Sequence, residues 1–454
     1  MERISKFFEL EKHGTNVKTE ILAGCVTFLS MAYILAINPS ILSQSGMNAA
    51  SIFTATAVSA CFATLVMAFY ANYPVALAAG MGLNAYFVYS VCVPMAQAGI
   101  QDPWQVALAA VLCEGIIFIM LTLCKFREAL VNDVPENLKL GISAGIGLFI
   151  AIVGLKSAGV VIADSSTIVA LGDFSTPQVT LALIGIIITC VMYHYKVPGY
   201  ILWAILITWG LGMIAQLTGW YQVDAASGNS SLYPDFSSGF SIAAPHMFAF
   251  NFDYVFTHFI EFVVIVFSFL FVDLFDTAGT LIAVAGKADL LDEKGNLPKA
   301  KQALMADAVG TVAGACLGTS TVTSYVESSA GVAAGGRTGL TSFTTAILFL
   351  IALVLSPIFL AIPSFATTPA LVFVGLLMVS NVKKMDFSED IAGAMGGYLA
   401  LIIMPFTYSI ANGIMFGMLA FVILRILQGQ ANKVHWVLWV AAVIFVLRIA
   451  SLVI

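Results

Sequence analysis

Tyr73-Pro-Val-Ala-Leu-Ala-Ala-Gly80-Met-Gly82-Leu-Asn84-Ala-Tyr86-Phe87 and Gly318-Thr-Ser-Thr-Val-Thr-Ser-Tyr-Val-Glu327-Ser-Ser-Ala-Gly331 are the two stretches whose reading decides the fold. Both open on residues that favour extended backbone: Pro74 with Val75 in one, a Thr/Ser/Val run in the other. Both then turn into a short helix of about three turns, enough for half a bilayer. Irregular backbone at membrane depth is tolerated only where it lines a protein-walled cavity. Two helix N-termini meeting near the midplane make a site for a polar or anionic group. The plainer alternative is a pair of Gly/Ser-rich packing helices. That alternative leaves Asn84 and Glu327 without a role.

The rest of the chain supplies the membrane. Its 454 residues are 60% hydrophobic and only 10% charged, with a mean hydropathy of +0.98. A soluble domain needs far more surface charge. The net charge of −6 is small and no tail is rich in Lys or Arg, so a nucleic-acid partner is excluded. The first 19 residues are polar and of mixed charge, so no cleavable signal peptide is expected. Seven scattered cysteines (Cys25, Cys61, Cys92, Cys113, Cys124, Cys190, Cys316) form no CxxC pair and read as small hydrophobes.

A window of about 19 residues, matched to a roughly 30 Å hydrocarbon core, finds candidate spans along the whole chain. They centre on 20–38, 53–70, 76–92, 104–124, 138–159, 177–194, 200–218 and 254–285. They continue at 303–318, 325–336, 340–361, 368–382, 391–407, 411–428 and 434–453. Four (76–92, 303–318, 325–336 and 368–382) read as too short or too polar for ordinary spans. The expected count is fourteen, with 434–453 an extra span or an interfacial helix.

Charge placement orients them. With a cytoplasmic N-terminus, Arg3, Lys6, Lys12 and Lys18 precede the first span, and Lys125, Arg127 and Lys139 follow the fourth. Lys196 follows the sixth, and Lys287, Lys294, Lys299 and Lys301 follow the eighth. Arg337 follows the tenth, Lys383 and Lys384 the twelfth, and Arg425 and Lys433 the fourteenth. Only Lys156 and Arg448 fall outside this pattern, while the opposite loops carry Asp102, Asp164, Asp173, Asp224 and Asp235. Such asymmetry is the positive-inside rule for a protein of the cell inner membrane. Fourteen spans split into seven and seven, and an odd repeat must insert its second copy upside down. The two stretches quoted above are then the third span of each half, the third and the tenth overall.

Acids mark the centre. Asp273 and Asp276 lie in Phe271-Val-Asp-Leu-Phe-Asp-Thr-Ala-Gly-Thr280, and their spacing of three puts both on one helix face. An acid at this depth costs about 2.5–3.5 kcal/mol even on the lenient insertion scale. Three of them, counting Glu327, require a reason. Low dielectric and mutual repulsion both favour protonation, and a carboxyl that gains and loses a proton near neutral pH is what a proton symporter needs. Asp276, one turn from Asp273, is the candidate for the proton-linked group.

Other features are blander. Glu261 reads as a local pair with His258, and Glu114 as an interhelical bond or an unassigned acid. Phe271, Phe275, Tyr86 and Phe87 could stack on a flat ring but more simply pack. Ala333-Ala-Gly-Gly-Arg337 lacks a Walker lysine, and Asp289–Lys301 fails the calcium-loop pattern at Leu291. No nucleophile–base pair or zinc spacing supports an enzyme, and no cofactor or metal is expected.

The motifs Gly80-Met-Gly-Leu-Asn84-Ala-Tyr-Phe87, Phe275-Asp-Thr-Ala-Gly-Thr280 and Gly318 to Gly331 resemble the AzgA-like purine permeases, a branch of the nucleobase–cation symporters. His13-Gly-Thr, Ala300 to Asp307 and Met404-Pro-Phe-Thr-Tyr-Ser-Ile410 extend the likeness over nearly the whole chain. The resemblance implies a seven-plus-seven inverted fold with a core domain (1–130 and 250–365) and a gate domain (131–249 and 366–454). It also implies a homodimer that imports purines by proton symport. By carry-over, Asp273 and Glu327 are the purine-binding carboxylates, Asn84 a third polar contact and Asp276 the coupling residue. Gly82 and Val326 would contribute backbone N–H groups, with Thr277, Thr321 and Ser324 as further binding candidates.

Nucleobase chemistry agrees. A carboxylate accepts from ring N–H groups, a protonated carboxyl donates to a ring nitrogen, and Asn does both. Which purine is preferred is not written in the sequence. Sulfate or bicarbonate on the same fold would call for an Arg or Lys at the broken-helix site, and none lies there. Midplane acids between broken helices argue for alternating access rather than a channel, and no large soluble domain exists to read a signal as a receptor would.

Overall fold

The computed structural model describes residues 2–124, 135–164, 166–222, 231–234, 242–290 and 297–453. Lys125, Arg127, Asp224, Asp235, Leu291 and Lys294, which carried parts of the charge and calcium-loop arguments, lie outside the described residues.

Among the described residues, nine helical stretches are long and apolar enough to cross a membrane. Six come from the first half: Val17–Ser45, Ala49–Ala71, Pro103–Leu123, Glu136–Ser157, Pro177–His194 and Tyr200–Leu217. Three come from the second: Gly339–Leu360, Ser364–Lys384 and Ile410–Leu427. Further helices run over Phe259–Lys287, Ala300–Leu317, Ile391–Thr407 and Trp436–Val453. The expectation that 368–382 is too short is overturned. It belongs to the 21-residue stretch Ser364–Lys384, which continues through Pro369. Membrane helices tolerate proline because neighbours and hydroxyls take over the freed carbonyls.

Helix starts follow their caps. Asn16 accepts from Thr19 N at 3.0 Å to open Val17–Met31, and Asn48 accepts from Ser51 N at 3.1 Å to open Ala49–Val66. The first span turns at Ala32–Tyr33 before continuing as Ile34–Leu42, and that turn sets the position of Tyr33.

Among the described residues, strands pair at two places. An exposed hairpin pairs Val161–Asp164 with Ile168–Leu171. Inside the bundle, Leu77–Ala79 pairs antiparallel with Val322–Ser324, in the register Leu77 to Ser324, Ala78 to Thr323 and Ala79 to Val322. Tyr325 N to Ala76 O and Gly80 N to Thr321 O, both 3.0 Å, lengthen the ladder by a bond at each end. The extended backbone therefore begins slightly after Pro74 and Val75. The first strand leads into Met81–Ala85, a π-helical turn over Tyr86–Cys92 and then Val93–Gln97; the second leads into Ser328–Ala333.

Small residues bring the remaining helices together. A methyl on Gly141 would lie 2.3 Å from Gly397 Cα, so Glu136–Ser157 and Ile391–Thr407 meet backbone to backbone. Gly147 against Gly375 O, at 2.7 Å, does the same toward Ser364–Val379. All seven cysteines are free thiols.

Candidate functional site

The paired strands carry the site. Thr277 and Asp273, one turn apart on Phe259–Lys287, are both fully buried. The Thr277 hydroxyl lies 3.1 Å from Asp273 Oδ1, 3.0 Å from both oxygens of Asp307 and 2.7 Å from Thr323 Oγ1. A threonine hydroxyl has one hydrogen, so it can donate to only one of these oxygens at a time. Two acids on different helices thus compete for one donor. Asp307 also accepts from Ser324 N at 3.1 Å and from Ser324 Oγ at 3.3 Å. Asp276, partly exposed, lies within electrostatic range of Asp307 and Glu327.

Asn84 sits just past the first strand and is fully buried. Its Oδ1 accepts from the Ser320 hydroxyl, and its Nδ2 makes no hydrogen bond among the described residues. Whichever way round the amide is placed, one end lacks a protein partner. Glu327 follows the second strand and precedes the helix Ser328–Ala333. It is partly exposed, and Tyr33 OH donates to its Oε1 at 2.5 Å.

The secondary candidates resolve differently. Thr321 Oγ1 donates to Glu114 Oε2 at 2.7 Å, and Ser324 points to Asp307, so both hydroxyls act on protein acids first. A methyl on Gly82 would meet Ile146 Cγ2 at 2.7 Å, and Val326 is exposed with its carbonyl accepting from Ser329 N. Arg337 donates to Val332 O and Gly336 O at 2.7 and 2.8 Å, where it caps the short helix rather than entering the site.

Residues 18–416 match the permease family Xan_ur_permease. The chain belongs to that family. The permease is 40% identical over 444 residues to the guanine/hypoxanthine permease PbuO of Bacillus subtilis, covering 97% of this chain and 99% of the relative. It is 36% identical over 446 residues to the adenine permease AdeP of Escherichia coli, covering 98% and 96%. In fold it is similar to the transmembrane domain of the cyanobacterial bicarbonate transporter BicA. That match has a TM-score of 0.65 at 16% identity and covers 88% of this chain and 97% of that one. The permease is a mainly helical, multi-pass membrane transporter and not an enzyme.

Several functional-looking residues of the permease were given no role in the sequence reading. Asp307 is a lone acid in the Ala/Gly-rich helix Ala300–Leu317, and the rule that found Asp273 would have found it. Glu20 is fully buried and accepts from Arg337 N, Thr338 N, Thr341 N and Thr341 Oγ1 at 2.6 to 3.3 Å. It holds the first span against the start of Gly339–Ile351, where an anion also complements the helix dipole. Tyr33 gave no signal at all, because an aromatic in an apolar run looks like packing. The expected local pair of Glu261 with His258 is replaced: Glu261 binds Arg448 at 3.2 Å and accepts from Tyr254 OH at 2.7 Å. The His258 ring instead bonds Thr257 Oγ1 and stacks on Tyr254. Lys156, the other base outside the charge pattern, sits 4.5 Å over the Tyr408 ring.

Proposed function

We propose that the permease imports purine nucleobases by proton symport. The full-length similarity to an adenine permease and a guanine/hypoxanthine permease carries the substrate class. The geometry agrees with it. Asn84 offers an unmatched amide end, and Asp273 and Glu327 offer carboxyls for the N–H groups and ring nitrogens of a purine. A base in the site would favour a bicarbonate-like anion, and Arg337, the base closest in sequence to Glu327, is instead engaged with backbone carbonyls.

The proposed architecture is fourteen spans in a seven-plus-seven inverted repeat, with the Met81 and Ser328 helices as its two half-spans. The core domain comprises 1–130 and 250–365, and the gate domain 131–249 and 366–454. The permease would be a homodimer in the cell inner membrane with a cytoplasmic N-terminus. In a cysteine-free background, Ser231→Cys should then label from outside intact cells and Asp289→Cys should not. The reverse pattern would overturn the orientation.

Coupling rests on the acids. Protons and purine must strengthen each other's binding, because a coupling free energy is reciprocal. Asp276 is the proposed proton-linked group, within electrostatic range of Asp307 and Glu327. Uptake of labelled adenine, guanine, hypoxanthine and uracil into vesicles tests both claims. Purine uptake should rise with an inward proton gradient, collapse with a protonophore and ignore sodium. Asp276→Asn should exchange purine without accumulating it. Sodium-driven uptake would replace the coupling ion, and gradient-driven accumulation in Asp276→Asn would move the proton to another carboxyl.

A further inference from the structure

A cavity with a few polar groups among apolar walls lies apart from the acid cluster. It encloses about 350 Å³ between the segment following Asn84, the His258 end of the long helix, the start of Ile410–Leu427 and the end of the C-terminal helix. That volume lies within the range of about 300–1,000 Å³ common to small-molecule sites. Its lining includes Tyr86, Tyr254, His258, Glu261, Asn412 and Arg448. Tyr86 is two residues from Asn84, so the cavity abuts the element that carries the candidate site.

Arg448 is the feature that needs explaining. It is one of two bases that the charge asymmetry leaves over, and its partner Glu261 stands on a different helix. Ionised groups in spans pair with one another and face cavities, and by default they mark function. Here the Arg448 and Glu261 side chains remain 27% and 31% exposed and both line the cavity. One wall therefore carries a guanidinium that donates through Nη2 to a carboxylate, whose other oxygen accepts from Tyr254 OH. A ligand there would bind through their remaining donor and acceptor capacity. Flat rings flank the wall, with Tyr254 and His258 stacked at 4.4 Å and 7°.

That wall matches one class of nucleobase. A 6-oxopurine carries adjacent acceptors at O6 and N7, which a guanidinium meets with two parallel N–H bonds, and an N1–H that a carboxylate accepts. Adenine places an amino donor where the oxopurine has O6, and a guanidinium has no acceptor to offer it. We propose that this cavity is a second nucleobase site that selects 6-oxopurines over adenine through Arg448 and Glu261. The proposal rests on the purine reading above. On the orientation given there, the cavity lies toward the outer end of the long helix.

The test is initial-rate uptake of labelled hypoxanthine and adenine by reconstituted permease across a range of concentrations. Arg448→Met should raise the hypoxanthine KM about tenfold relative to the adenine KM, the loss of one bidentate contact. Arg448→Lys keeps the charge and the tie to Glu261 but removes the fork, so it should shift the same ratio in the same direction. It also serves where the methionine variant fails to fold. An unchanged ratio in Arg448→Lys, or equal losses for both purines in both variants, would overturn the proposal and leave the pair a structural tie. Wild-type permease that takes up neither purine would instead overturn the purine reading itself, and this inference with it.

Discussion

The two paired strands are matched in backbone and opposite in chemistry. Leu77–Ala79 presents only apolar side chains, whereas Thr319, Ser320, Thr321, Thr323 and Ser324 line the second segment with buried hydroxyls. Each of these meets a polar side chain from elsewhere. Thr319 accepts from Asn38, Ser320 binds Asn84, Thr321 binds Glu114, Thr323 binds Thr277 and Ser324 binds Asp307. The first strand is satisfied through its backbone: the Thr64 hydroxyl accepts from Leu77 N at 2.9 Å and donates to Leu77 O at 3.1 Å. Buried acids are tolerable only when hydrogen-bonded. The second segment supplies those bonds, and the first supplies small residues that leave room beside them.

The largest expected effects come from the candidate binding acids beside these strands: Asp273, bonded by Thr277 of its own helix, and Glu327, bonded by Tyr33. Asp273→Ala and Glu327→Ala should each abolish purine uptake while membrane expression persists. Saturable uptake at wild-type affinity in either variant would remove that residue from the site.

Next come the hydroxyls themselves. Thr321→Val and Ser324→Ala each remove one hydroxyl donor, from Glu114 and Asp307 respectively, and each should cost about 1–3 kcal/mol of stability in a detergent unfolding assay. Stability and uptake equal to wild type in both would break the contrast between the strands, because the polar segment would then be as dispensable as any apolar one.

The smallest effect tests how closely the strands approach. A methyl at Gly80 would lie 2.7 Å from Thr323 Cγ2, so Gly80→Ala should cost about 1–3 kcal/mol by overpacking. Thr323→Ser keeps the hydroxyl bonded to Thr277 and removes that methyl. The double variant should recover most of the loss, and strictly additive losses would show that the two segments do not press on each other there.

Much of this was open to local reading. Hydropathy sums over a window, so most of the long helices were legible, and the meeting of the Asn84 and Glu327 segments followed from their shared pattern. The 368–382 stretch was misjudged because Pro369 and neighbouring polar residues shorten the apolar run without breaking the helix. Asp273, Asp276 and Glu327 stood out because an acid in an apolar run is costly wherever it ends up.

By itself, then, the sequence determined the membrane class, the approximate spans, the charge asymmetry and the odd pair of segments, all of them properties of neighbouring residues. Only the tertiary structure decided the partners. Tyr33 reaches Glu327 across 294 positions, Ser320 reaches Asn84 across 236 and Arg448 reaches Glu261 across 187. It also made Asp307 the rival of Asp273 for the single hydrogen of Thr277. The physical reason is that the cost of burying a polar group depends on its own type and depth, which sequence records. The bond that offsets this cost depends on which helix packs beside it, and that is known only once the chain has folded.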